Sequence, residues 1–359
     1  MKRKGEYMLI KFRPAWWVIT TGVIFGAFFA LLMKWGNPPN MGVCAICFLR
    51  DTAGALGFHN VNEVSYIRPE IIGFVLGSTI IALITKEFKT MGGSSPILRF
   101  IISVFVAIGA LVFLGCPIRM LGRIAGGDWV ALEGLLGLVV GIYIGVQFSK
   151  AGFNLGRMQT LRSSNGWVMP LIAIGLLILL LAKPEFIGFG GKKHAPLFVS
   201  LIAGLIVSGF AQRSRFCTIG GIRDLILIGD SHLFQGFVAL LVVTFIFNLI
   251  LGQFNPGESP IAHLEFIWNF GGMFLAGFGL VMLGGCPFRQ MVMSGYGNTD
   301  AGITVLGMLF GAGLTHNFNL AASSQGVTLN GKIAIILGII ILLVIGLTNR
   351  GTIEGAKDG

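Results

Sequence analysis

Residues 113–119 read FLGCPIR and residues 283–289 read LGGCPFR, so Gly115-Cys116-Pro117-Ile118-Arg119 returns 170 positions later as Gly285-Cys286-Pro287-Phe288-Arg289. The register extends beyond the motif: at the same offset Gly127 falls on Gly297, Gly137 on Gly307 and Gly141 on Gly311. Upstream, Cys44 followed by Arg50-Asp51 returns as Cys217 followed by Arg223-Asp224, now at an offset of 173. Matches at fixed spacing are the mark of an internal repeat. Each copy reads as a span, a short Cys-x5-Arg-Asp segment, two spans, a short Gly-Cys-Pro-x-Arg segment and a further span.

The spans are legible from composition. Of 359 residues 54% are apolar, 11% are charged and 54 are Gly, and the mean hydropathy is +0.84. A soluble chain carries about 25% charge and roughly 7% Gly, so the numbers exclude an ordinary soluble enzyme, a disordered tail and a disulfide scaffold. An apolar run from Trp16 to Met33 is too long for a signal-peptide core and is expected to be retained. Further runs lie at 69–85, 97–114, 129–148, 167–183, 195–211, 233–251, 265–283, 300–316 and 333–347. The expectation is an all-α polytopic membrane protein of about ten transmembrane helices plus four short re-entrant helices, built as two inverted repeats.

The implied division is a basic N-terminus at 1–15, a first repeat at 16–148, a linker with a spacer span at 149–194, and a second repeat at 195–316. A loop and final span follow at 317–347, then a tail at 348–359. The run at 167–183 between the copies places the second upside down relative to the first, the arrangement common in transporters. With both termini on the cytoplasmic side, 17 Lys and Arg fall inside and nine outside, as the positive-inside rule requires. Most of the net charge of +11 therefore orients loops rather than attracting nucleic acid.

The five cysteines carry the chemistry. Cys44, Cys116, Cys217 and Cys286 stand at repeat-related corners; Cys47, opposite Gly220, is the unmatched fifth. Pro117 and Pro287 end any helix continuing from the preceding span, and Gly115 and Gly285 permit a sharp turn. Thiols are soft, weak donors and acceptors, so a row of them suits a soft anion better than a hard cation. Arg119 and Arg289, three residues after their cysteines, can hold an oxyanion or depress a thiol pKa. The pairs Arg50-Asp51 and Arg223-Asp224 read as structural ion pairs, and Gly137-x3-Gly141 and Gly307-x3-Gly311 as close helix packing. His59, His194, His232, His263 and His316 have no spacing that makes a metal site, and no cofactor motif is present. Glu133, within a span, is a candidate for proton coupling.

Arg213-Ser214-Arg215-Phe216-Cys217 continuing Thr-Ile-Gly-Gly-Ile-Arg-Asp, with the two Gly-Cys-Pro-x-Arg motifs, resembles the YeeE/YedE sulfur-transport family of bacterial inner-membrane proteins. The stretch Gly36-Asn37-Pro38-Pro39-Asn40-Met41-Gly42-Val43-Cys44 resembles its selenium-associated YedE branch. The resemblance covers residues 16 to 316 approximately. It implies uptake of thiosulfate or a related sulfur or selenium anion along a narrow path of cysteines, passed inward by transient S–H···S contacts. Cys217, Cys286 and Cys116 match the motif cysteines best, and Cys44 shares its place with Cys47 one turn away. The family also implies a small TusA-type cytosolic sulfurtransferase as partner; residues 348–359 are expected to be a cytoplasmic tail without such a domain.

Two other readings compete. A membrane thiol-disulfide oxidoreductase would use Cys44-x2-Cys47, though a CxxC motif normally opens a helix in a thioredoxin-like context. A soft-metal transporter would want Met or His paired with the thiols, and the 13 Met show no such pattern.

Overall fold

A computed structural model describes residues 15–257 and 259–350. The first part of the chain forms α1 (Trp16–Lys34), α2 (Ala45–Ala55), α3 (Pro69–Ile84), α4 (Pro96–Val112), α5 (Pro117–Ala125) and α6 (Ala131–Lys150). A short turn α7 (Ser163–Gly166) and α8 (Val168–Ala182) follow. The second part repeats the series as α9 (Leu197–Ser214), α10 (Thr218–Ile228), α11 (His232–Ile250), α12 (Phe266–Leu283), α13 (Pro287–Gly295) and α14 (Thr299–Asn317), and α15 (Leu329–Thr348) closes it. The basic segment at 1–15 lies outside the described residues except Ala15, as does the tail at 348–359 beyond Arg350. A two-residue antiparallel pair, β1 (Met91–Gly92) with β2 (Gln159–Thr160), ties the α3–α4 and α6–α7 connections together.

The protein is an all-α polytopic membrane protein. Among the described residues eight stretches are long and apolar enough to cross a bilayer. All ten expected runs are helical, and the remaining two are α8 and α14. At 15 residues, α8 spans about 22 Å at 1.5 Å per residue, short of a hydrocarbon core of about 30 Å. α14 has the length but carries Asp300, Thr304, Thr315 and His316 among its glycines, which lowers its apolar character. The outward faces of α8, α11 and α15 carry Leu171, Leu181, Val242, Ile250, Ile336 and Val344 at 46–73% exposure, the apolar perimeter expected against lipid tails.

Proline starts α3, α4, α5 and α13, where a missing N–H costs nothing. The four short helices α2, α5, α10 and α13 have 11, 9, 11 and 9 residues, too few to cross. α5 is buried at every position except Ile124, whereas α10 is buried only from Thr218 to Ile222, so the starts of these segments lie in the protein interior, where broken backbone can be satisfied. The left-handed residues that turn the chain into α5 and α13 are Leu114 (φ 62°) and Gly284 (φ 83°). Gly115 and Gly285, expected to make that turn, instead let the following arginine side chain lie flat: a Cβ would meet Arg119 Cδ at 3.0 Å and Arg289 Cγ at 3.2 Å.

Helices of the two parts pack on each other reciprocally. α1 lies on α11 and α3 on α9; α6 lies on α12 and α4 on α14. The start of α1 abuts the end of α9, where Thr21 Oγ1 donates to Ser214 Oγ at 2.9 Å. Glycine seams allow these approaches, as their spacing suggests: Gly137 and Gly141 of α6 lie against the Phe270 and Phe274 carbonyls, and a Cβ on Gly307 or Gly311 of α14 would come within 2.9 Å of the Phe100 carbonyl oxygen or 2.8 Å of the Val104 one. Gly311→Leu is accordingly expected to destabilise the protein by about 1–3 kcal/mol through overpacking, read as a lower melting temperature in detergent, whereas Gly175→Leu, with open space around it, leaves melting unchanged.

Candidate functional site

All four repeat-matched cysteines are helix N-caps: Cys44 for α2, Cys116 for α5, Cys217 for α10 and Cys286 for α13. At Cys44, Cys217 and Cys286 sulfur takes the role that Ser or Asp usually fills at a helix start, whereas Cys116 makes no side-chain cap bond. Cys44 Sγ accepts from Cys47 N (3.3 Å) and Cys217 Sγ accepts from Gly220 N (3.3 Å). Each of these sulfurs accepts a second amide from the opposite helix start, Cys116 N to Cys44 Sγ at 3.5 Å and Cys286 N to Cys217 Sγ at 3.3 Å. The structure thus brings the cysteines together as two pairs, Cys44 with Cys116 and Cys217 with Cys286. All five are buried and free.

Buried rings pack beside both pairs. Phe25 of α1 stacks at 4.9 Å from Phe288 and 5.8 Å from Phe216, the neighbours of Cys286 and Cys217, and Phe74 of α3 meets Phe288 at 4.9 Å. One turn further along α1, Phe29 packs on Gly42, two residues before Cys44, and on Gly122 of α5. α1 therefore carries one ring against each pair. Sequence reading missed these phenylalanines, although Phe216 and Phe288 adjoin motif cysteines.

The matched arginines connect the pairs to cavities at opposite ends of the bundle. Arg119, 1% exposed, donates from Nε to the Asn40 carbonyl (3.0 Å) and from Nη1 to Cys47 Sγ (3.4 Å); its Nη2 has no acceptor among the described residues. Asn40 lines a cavity of about 280 Å³ with Lys34, Asn37 and Gln253. Arg289 donates its backbone N–H to Cys286 Sγ (3.4 Å) and its Nη2 to Tyr296 Oη (3.2 Å). It lines a cavity of about 380 Å³ with Lys86, Lys89, Arg215, Met158 and Met293. The guanidinium of Arg119 thus sits on the unmatched Cys47 rather than on Cys116, where the i+3 spacing had suggested it.

Cys47 Sγ lies 2.6 Å from Cys44 Sγ, so the fifth thiol belongs to the first pair. The Arg-Asp steps are ion pairs: Arg50–Asp51 at 2.6 Å, deeply buried, and Arg223–Asp224 at 2.8 Å, partly exposed. Asp51 also receives Arg68 at 2.6 Å, a partner that no motif announced. Glu133 accepts from Asn269 Nδ2 at 2.9 Å, away from the thiols. His59 and His316 stack at 4.6 Å, and no grouping of three or more His, Cys, Asp or Glu among the described residues fits a metal ion.

The fold and these thiol pairs define a helical membrane protein with a soft, cation-flanked interior. Residues 213–350 match the family described as sulphur transport. The thiosulfate transporter TsuA of Spirochaeta thermophila is 29% identical over 110 residues, 31% of this chain and 33% of the relative, so the match spans about a third of that protein's length. Over residues 213–350, less than half of its length, the chain is similar to that sulphur-transport family.

Proposed function

We propose that this protein carries a small sulfur anion, thiosulfate or a close analogue, across a bacterial inner membrane, handing it between two thiol pairs. The observation that carries the reading is the arrangement of each pair: two buried cysteines at facing helix starts, tied by the matched arginine to a cavity at its own end of the bundle. Lys34 in the Asn40 cavity, and Lys86, Lys89, Arg215 and Arg289 in the other, gather the anion. Arg119, with one buried donor free, then takes an oxygen while the terminal sulfur is passed to the thiols, whose weak donors desolvate sulfur at little cost. No bond of the substrate is broken, so the protein acts as a transporter and not as an enzyme.

The two parts of the chain, 16–148 and 195–316, are read as inverted repeats. The contact between the start of α1 and the end of α9, both spans leading to a matched cysteine, supports this. So do the two cavities at opposite ends. In the orientation with both termini cytoplasmic, the Asn40 cavity faces outward and the Arg289 cavity inward, where a TusA-like sulfurtransferase would collect the sulfur. A selenium analogue shares the softness that the thiols select, and that reading rests on the resemblance of the Gly36 to Cys44 stretch to the selenium-associated branch.

The test is uptake of labelled thiosulfate, selenite and selenosulfate into liposomes holding the purified chain. Saturable uptake of at least one is expected, and an intact, folded protein that takes up none refutes the reading. A competing reading, thiol-disulfide exchange at Cys44 and Cys47, is not favoured by the family match. It predicts that Cys47→Ala abolishes activity, whereas transport along symmetric pairs predicts that it does not, since Gly220 occupies the matching place.

A further inference from the structure

Glu70, second residue of α3, has no exposed surface and plays no part in the relay above. Its Oε1 accepts from Asn37 Nδ2 at 3.1 Å, while Oε2 has no hydrogen-bond partner among the described residues. α9 packs against it: a Cβ on Gly204 would meet the Glu70 carbonyl oxygen at 2.7 Å. Ser200, one turn before Gly204, is also fully buried with its Oγ unpartnered. Buried polar groups are almost always satisfied, and ionisable ones at membrane depth mark ion or proton pathways. Two orphaned groups on facing helices mark such a place.

The surrounding charges give Glu70 a consequence. Arg50 and Arg68 both bind Asp51, at 2.6 Å each, and Arg68 Nη1 also donates to Asn37 Oδ1 at 3.1 Å. Two guanidiniums therefore face two carboxylates. With Glu70 ionised the cluster is neutral; with Glu70 protonated it carries one positive charge. The other titratable groups around it are Tyr66 and His194, stacked at 4.0 Å, and His59, whose Nε2 lies 3.1 Å from the Arg50 carbonyl oxygen and whose ring stacks on His316. Asn37 joins the cluster to the thiol segment, since its Nδ2 also donates to the Gly42 carbonyl (2.9 Å) and its side chain lines the Asn40 cavity.

We propose that Glu70 is a proton-binding site that couples anion uptake to proton entry. The inference rests on the transport reading. A protonated Glu70 leaves the cluster beside the outer cavity positive and so favours the anion there; by linkage the bound anion favours the proton equally. Release of both on the inner side resets the site. A dianion moving into a negative interior works against the membrane potential on each of its charges, and a proton carried with it offsets part of that work. No bond to sulfur or oxygen of the anion changes: one proton enters with the substrate and leaves with it.

The experiment uses the full chain in liposomes with labelled thiosulfate and a trapped pH-sensitive dye. An outside-acid gradient of one pH unit is expected to raise steady-state accumulation about tenfold per proton carried, and added thiosulfate to acidify the lumen. Glu70→Gln is expected to exchange labelled for unlabelled thiosulfate yet lose both gradient-driven accumulation and acidification. Where that variant fails to fold, Glu70→Asp decides: it keeps gradient-driven accumulation with a displaced pH profile, and an unchanged profile overturns the proposal. Wild-type uptake indifferent to the gradient, or a Glu70→Gln variant that accumulates like wild type, removes the coupling alone. Absence of both uptake and exchange at every pH removes the transport reading and the coupling with it.

Discussion

Cys217→Ala and Cys286→Ala are each expected to reduce thiosulfate uptake to background, while Cys47→Ala is expected to stay near wild type. Cys217 Sγ holds the first turn of α10 and the start of α13 at once, accepting Gly220 N and Cys286 N. Alanine at either cysteine removes one small atom from a buried site, a modest loss in packing. On the proposed relay it also takes away one of the two sulfurs to which a soft anion is handed, and only the other member of the pair remains in that half. Uptake and melting temperature measured on the same preparations separate the two effects: little change in melting with uptake abolished is expected. Full uptake by both variants refutes the relay.

Asp51→Asn is expected to cost about 3–5 kcal/mol, because it leaves two buried guanidiniums without their carboxylate. Asp51 is 1% exposed and receives Arg50 and Arg68, themselves only 11% and 4% exposed. The repeat-matched Asp224→Asn removes a pair whose members are 27% and 20% exposed, and surface pairs of that kind contribute about 0–1 kcal/mol. Thermal melting of the two variants in the same detergent compares them directly. Equal shifts would mean that the burial of the first pair carries no energetic weight. The same motif thus has two different duties, and only the third partner, Arg68, makes the difference.

Much of the fold was legible because membrane spans announce themselves by composition. The ten apolar runs all became helices, with ends displaced by a few residues, since an uninterrupted apolar stretch in lipid has few alternatives. The short helices were legible from Pro117 and Pro287, which fix where a new helix begins. The turn residues were not. Leu114 takes the left-handed conformation beside a glycine that would have taken it more readily, because Gly115 is needed to seat the Arg119 side chain.

The site was legible in part for the same reason that it is symmetric. Matched cysteines stood out against a second copy of themselves, whereas Glu70, Asn37, Arg68 and Phe25 have no matched partner and gave no signal. Their importance comes from contacts between segments far apart in the chain: Arg68 with Asp51, Asn37 with Glu70 and Gly42, Phe25 with Phe216 and Phe288. Arg119 and Cys47 meet for the same reason, 72 residues apart.

The reciprocal packing of α1 on α11, α3 on α9 and α6 on α12 bears on how the chain is made. A ribosome delivers the first six helices to the bilayer before any of these partners has been synthesised. Their glycine-lined seams then face lipid, which fills narrow grooves poorly, and stay open until residues near 283 emerge. Assembly is therefore a late event in translation, and the early spans must wait in the membrane as loosely held rods. A ribosome that stalls before α9 is complete leaves a product with each of these seams unfilled, well suited to recognition by membrane quality-control proteases.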